Sequence, residues 1–75
     1  MAVDRARALI SDALDQPLDR IAADGDVASV PGWDSLGHVK ILMAMEGALG
    51  RMLKPEEIAS IRSVADIAGI LDAAS

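Results

Sequence analysis

The chain has 75 residues, no cysteine, one aromatic side chain of the Phe, Tyr or Trp type (Trp33), and a formal net charge of -5 from 12 acidic and 7 basic side chains. That length allows one domain, 1–75, whose folding buries only about 60% of the unfolded-chain surface, which leaves little room for a full catalytic shell. The charge disfavours nucleic acid and anionic membranes and favours basic protein surfaces, while the lack of cysteine excludes a disulfide framework and thiolate metal sites.

No apolar stretch approaches the roughly 20 residues that cross a bilayer, and no signal-type core follows Arg5 and Arg7, so the expectation is a cytoplasmic monomer outside the membrane. Val3, Ala6, Leu9, Ile10, Ala13 and Leu14 recur at helical spacing and predict a first amphipathic helix over 3–15, with Pro17 just beyond it. From Asp15 to Asp34 the pattern breaks into Pro, Gly and Asp punctuation. A connection of that length needs anchoring, for which Leu18, Ile21, Ala22, Val27 and Val30 are the candidates.

Pro31-Gly32 then turns the chain, Asp34 is placed to cap, and the apolar run Val39, Ile41, Leu42, Met43, Met45, Leu49 predicts a second helix over 35–49 with Gly50 as a left-handed stop. Gly37 and Gly47 cost this helix about 1 kcal/mol each relative to alanine, so packing must support it. Pro55 suits a first helical position and Glu56 and Glu57 suit its positive end, which predicts a short third helix over 55–61. Ser63 with Asp66 resembles a capping box before the stripe Val64, Ile67, Ala68, Leu71 of a fourth helix. The predicted fold is all-α: a small four-helix bundle of three longer helices, a short third helix, and a long anchored loop between helices one and two.

Asp34-Ser35-Leu36 places a serine hydroxyl in the first turn of the second helix, beside unpaired backbone N–H groups and the positive end of the dipole. That setting suits an attached phosphate better than a nucleophile. Plainer readings stand beside it: Asp34 as an N-cap only, Ser35 as an ordinary first-turn residue, Leu36 and Met43 as core. His38, one turn after Ser35, is either within reach of such a phosphate or a solvated side chain, and Trp33 either covers the core or supports what Ser35 carries. A serine hydrolase is excluded on chemistry, because the leading glycine of the hydrolase motifs is replaced by Trp33 and His38 sits on the same helix with no oxyanion-hole segment. A calcium loop counted from Asp24 fails at Ser29 and Ser35, and no catalytic or metal-binding set is expected.

The segment Gly32-Trp33-Asp34-Ser35-Leu36, followed by Glu46, Leu49, Leu53-Lys54-Pro55-Glu56-Glu57-Ile58, Ile61 and Ser63-Val64-Ala65-Asp66-Ile67, resembles the carrier proteins of acyl, peptidyl and aminoacyl units over about residues 3–71. The resemblance implies a non-catalytic carrier whose Ser35 receives a 4′-phosphopantetheine arm from coenzyme A through a phosphopantetheinyl transferase. It further implies partner recognition by Asp34, Leu36, Val39, Met43 and Glu46, and partners comprising an acyl- or aminoacyl-loading enzyme and a downstream synthase or transferase. Gly37 and Lys40 stand where fatty-acid synthesis carriers are often acidic. With Trp33, they turn the expectation toward a specialised polyketide, nonribosomal peptide or modified-acyl pathway. The alternatives are a housekeeping fatty-acid carrier and an unmodified helical adaptor.

Overall fold

The computed structural model describes residues 2–73; residue 1 and residues 74–75, the ends of the expected domain, lie outside the described residues. Four α-helices occur among them, α1 (Ala2–Leu14), α2 (Ser35–Leu49), α3 (Pro55–Ser60) and α4 (Val64–Ala73), with a 3-10 turn at Leu18–Arg20. No strand forms among the described residues, and Asp26 and Ser63 make an isolated antiparallel bridge. None of these helices is long and apolar enough to cross a membrane.

The core follows from helical periodicity. Ala6, Ile10 and Leu14 on α1, Gly37, Ile41 and Met45 on α2, and Val64, Ile67, Ala68 and Leu71 on α4 are buried. On α1 and α2 the stripe repeats every four residues, so each helix offers one narrow row, and α1 packs against both α2 and α4. Fully burying each large aliphatic side chain contributes about 1.5–3 kcal/mol. Leu42 and Leu49, expected within the apolar run, are only partly buried at the margin of this core.

α2 spans its expected 35–49, whereas the ends of α1 and α3 deviate from expectation by one residue. α1 stops at Leu14 because Asp15 turns left-handed at φ 53°, and α3 stops at Ser60 because Ile61 is extended and buried. Gly50 ends α2 at φ 71° with its N–H on the Glu46 carbonyl, as predicted. The box before α4 is only half formed: Ser63 Oγ accepts the Asp66 N–H at 3.1 Å, whereas Asp66 Oδ2 accepts from Arg62 rather than from Ser63. Aspartate is one methylene shorter than the glutamate of the usual motif, and its carboxylate meets the preceding amide.

The long connection keeps two of its expected anchors and is otherwise held by hydrogen bonds to backbone carbonyls. Ile21 and Val30 are buried, but Leu18 and Val27 are about half exposed and Ala22 is exposed. The backbone supplies the remaining ties. Arg7 donates through its guanidinium to the carbonyls of Ile21 and Leu18, Val27 N–H donates to the Arg62 carbonyl at 2.9 Å, and Val64 N–H donates to the Gly25 carbonyl at 3.0 Å. Asp26, the third position of the calcium loop that fails in sequence, accepts the Ala28 and Ser29 N–H groups with its carboxylate.

Two glycines of α2 separate packing from propensity. A Cβ on Gly37 would lie 2.1 Å from the Gly32 carbonyl oxygen and 2.8 Å from Leu14 Cδ2, whereas a Cβ on Gly47 would meet nothing within 4 Å. Gly37→Ala should therefore destabilise the fold by about 1–3 kcal/mol or more, and Gly47→Ala should stabilise it by about 0.4–1 kcal/mol. Urea titration of both variants checks the opposite signs.

Glu57 receives Arg51 bidentately, with both N–O distances 2.9 Å, and its Oε1 also accepts the Lys54 N–H at the start of α3. Arg51 and then the backbone N–H hold its carboxyl at about 2, well below the ordinary 4.5. Because the folded value is the lower one, the pair's contribution is complete above about 4.5 and disappears as pH falls toward about 2. Wild type should lose more stability across that window than Glu57→Gln, by a small margin because solvent screens this surface pair. Urea midpoints measured at successive pH values read the difference.

Candidate functional site at the start of helix α2

Three local features bring the chain into α2. Gly32 turns at φ 82°, Trp33 drops into the core at 4% exposure, and Asp34 takes an extended conformation that begins the helix. Asp34 Oδ1 accepts the Gly37 N–H at 2.8 Å, and its carbonyl accepts the His38 N–H at 2.8 Å. The cap fixes the first turn and orients Ser35 outward. Ser35 is exposed, and its hydroxyl has no hydrogen-bond partner among the described residues.

Gly37 lies beneath the Pro31-Gly32 turn, buried, so no acidic side chain fits there. Gly37 therefore offers no surface charge in this chain, and of the two positions Lys40, which is exposed, is the one that adds charge to the helix surface. Leu36, Val39 and Met43 are 66%, 50% and 65% exposed and share one outward face of α2 at spacings of three and four. The core readings of Leu36 and Met43 do not hold. Glu46, in contrast, is partly buried and its Oε2 accepts the Leu53 N–H at 3.0 Å, tying the end of α2 to the segment before α3.

Trp33 and His38 form a pair that sequence reasoning missed, since it considered each residue separately. The indole Nε1 donates to His38 Nδ1 at 3.0 Å, and the ring centroids lie 6.4 Å apart with planes inclined by 19°. Trp33 thus covers the core with its ring and supports His38 with its N–H. An open groove of about 740 Å³ is lined by Ser35, Trp33, His38, Ile58, Ile61 and Arg62 among others. Its walls are largely apolar, with Asp34 and Arg62 as its charged side chains.

This arrangement lacks the relay of a nucleophilic serine. His38 Nδ1 is occupied by Trp33, and no hydrogen bond joins His38 to Ser35 among the described residues. Nor do three or more His, Asp or Glu side chains converge on a metal-sized site among those residues. An exposed, unpartnered hydroxyl at a capped helix start does fit a covalently attached phosphoester, whose oxygens would meet the free first-turn N–H groups.

Comparison with known proteins agrees in kind. Residues 4–71 match the family described as a phosphopantetheine attachment site. The chain is also 32% identical over 72 residues to Acyl carrier protein 3 of Ralstonia nicotianae, an alignment covering 96% of this chain and 83% of that protein. Proteins of this family carry a covalently attached 4′-phosphopantetheine and work with phosphopantetheinyl transferases and acyl-handling enzymes. A helical domain that caps an exposed serine and matches that family over nearly its whole length belongs to the acyl carrier proteins.

Proposed function

We propose that residues 1–75 act as a non-catalytic cytoplasmic carrier, a monomer whose arm is borne on Ser35. The observation that carries this reading is the exposed, unpartnered Ser35 hydroxyl directly after Asp34, whose carboxylate is engaged in the cap. When attached, the arm supplies a terminal thiol that holds acyl or aminoacyl cargo as a thioester. Ser35 Oγ forms the new bond to phosphorus as the pyrophosphate bond of coenzyme A breaks; 3′,5′-ADP leaves, and the hydroxyl proton passes to the transferase. Asp34 holds the first turn rigid during that transfer and presents an acid to the transferase's basic surface.

Leu36, Val39 and Met43 form the docking face toward a loading enzyme and a downstream synthase or transferase. Glu46 contributes to this face through its position at the end of α2, with one oxygen committed to Leu53. Lys40, exposed between Val39 and Met43, adds a positive charge to the same helix and supports a specialised polyketide, peptide or modified-acyl pathway over housekeeping fatty-acid synthesis. The exposed apolar row also favours a second reading, an unmodified adaptor that binds one protein through α2.

Incubation with coenzyme A, magnesium and a broad-specificity phosphopantetheinyl transferase should add one phosphopantetheine, located on Ser35 by fragment mass spectrometry. Ser35→Ala should remain folded, since the residue is exposed, and take up none. Modification at another serine, or none with several transferases and a folded protein, leaves the adaptor reading in its place. Lys40→Glu should raise the association rate with basic fatty-acid synthase partners severalfold while circular dichroism stays unchanged. Equal rates for wild type and variant would remove the charge argument for a specialised pathway.

A further inference from the structure

The Trp33–His38 hydrogen bond fixes more than the two rings. An indole nitrogen only donates, so His38 Nδ1, 3.0 Å away, must accept, and in the neutral ring the hydrogen then sits on Nε2. Nε2 has no partner among the described residues, although the ring is half-buried and clamped against Trp33. His38 follows Ser35 by three positions, on the same side of α2, and both line the groove. The charged side chains that share this groove are Asp34, whose carboxylate is bound to Gly37 N–H, and Arg62, whose guanidinium is exposed and unpartnered among the described residues. A donor held in one tautomer and a cation thus flank the serine, and both suit an anionic diester.

We infer that Trp33 is a positioning residue: its N–H locks His38 in the Nε2–H tautomer so that Nε2 donates to the phosphodiester of an arm borne on Ser35. The inference rests on the carrier reading above. His38 lines the groove and keeps a donor free of any partner among the described residues, which a pair serving the core alone would not need. The locked tautomer spares the rotamer and tautomer freedom that a free histidine loses on making this bond.

The chain contains a single histidine, so its signals are unambiguous. Protein with ¹⁵N-labelled histidine is treated with transferase and coenzyme A, and intact mass establishes whether the arm is present. Modified wild type should show an acceptor-type Nδ1, a hydrogen-bearing Nε2, and a ³¹P resonance that shifts with pH in step with the His38 ring protons, because the diester does not itself titrate there. Trp33→Phe keeps an aromatic ring but removes the donor. Before modification it should move both nitrogens toward the averaged values of mixed tautomers, and after modification it should shrink the ³¹P inflection. His38→Gln should abolish the inflection, and this replacement of a half-buried side chain carries the test if Trp33→Phe fails to fold. An unmodified Ser35 overturns the carrier reading and this inference with it. A modified protein whose ³¹P signal ignores the His38 titration, an inflection that persists in His38→Gln, or wild-type nitrogen shifts in folded Trp33→Phe before modification overturns this inference alone.

Discussion

The close approach of the Gly32 carbonyl to the α2 backbone at Gly37 sets the geometry on which the site depends. The space that a Cβ would need at position 37 is taken by that carbonyl and by Leu14 Cδ2, so the end of α1, the turn and the start of α2 converge on one residue without a side chain. Gly32 must turn at φ 82° to bring its carbonyl there, a conformation open to glycine at no steric cost. With the turn pressed down, Trp33 enters the core and Asp34 reaches the Gly37 amide. Ser35 is then left facing solvent. The intrinsic helix cost of Gly37 is thereby offset by a contact that no other residue permits.

The helices were readable because a buried stripe imposes its period on the sequence wherever one face meets the core, as Ala6, Ile10 and Leu14 do on α1. Caps were readable for a similar reason: Asp34, Gly50 and Pro55 act through neighbours a few residues away. The ties of residues 15–34 were not. Val27 to Arg62, Gly25 to Val64 and Arg7 to Ile21 are bonds to carbonyls from sequence-distant positions, and a carbonyl carries no residue-type signature. Apolar residues in the loop identified Ile21 and Val30 but not the others, since Val27 looks the same in sequence whether its side chain or its amide is used. The serine motif was visible as a local pattern, whereas the Trp33–His38 pair depends on how the turn enters the helix and left no spacing signal.

Helix α2 illustrates a second limit. Its inner row is Gly37, Ile41 and Met45, and its outer row is Leu36, Val39 and Met43, so apolar residues occupy both sides. Periodicity alone cannot say which row is core. Burial decides it: the inner row packs on α1, and the outer row remains in water with Lys40 beside it. An apolar row that folding does not bury is a recognition feature more often than a packing one, and here it begins one residue after the serine. A protein docked on that row would cover the same first turn that presents the hydroxyl.

The groove lined by Ser35 has walls of unequal firmness. On one side stand Trp33 and the capped start of α2, fixed by core packing and by the Asp34 cap. On the other stand Ile58 and Ala59 of α3, a six-residue helix with no buried residue of its own. α3 is held at its two ends instead, by buried Leu53 and Ile61 and by the contacts of Glu57 with Arg51 and Lys54. Segments with few buried contacts open at lower free energy than those that build the core. α3 is thus the wall of the groove with the fewest buried contacts, whereas the serine is positioned by a first turn that the buried Trp33 and the Asp34 cap hold in place.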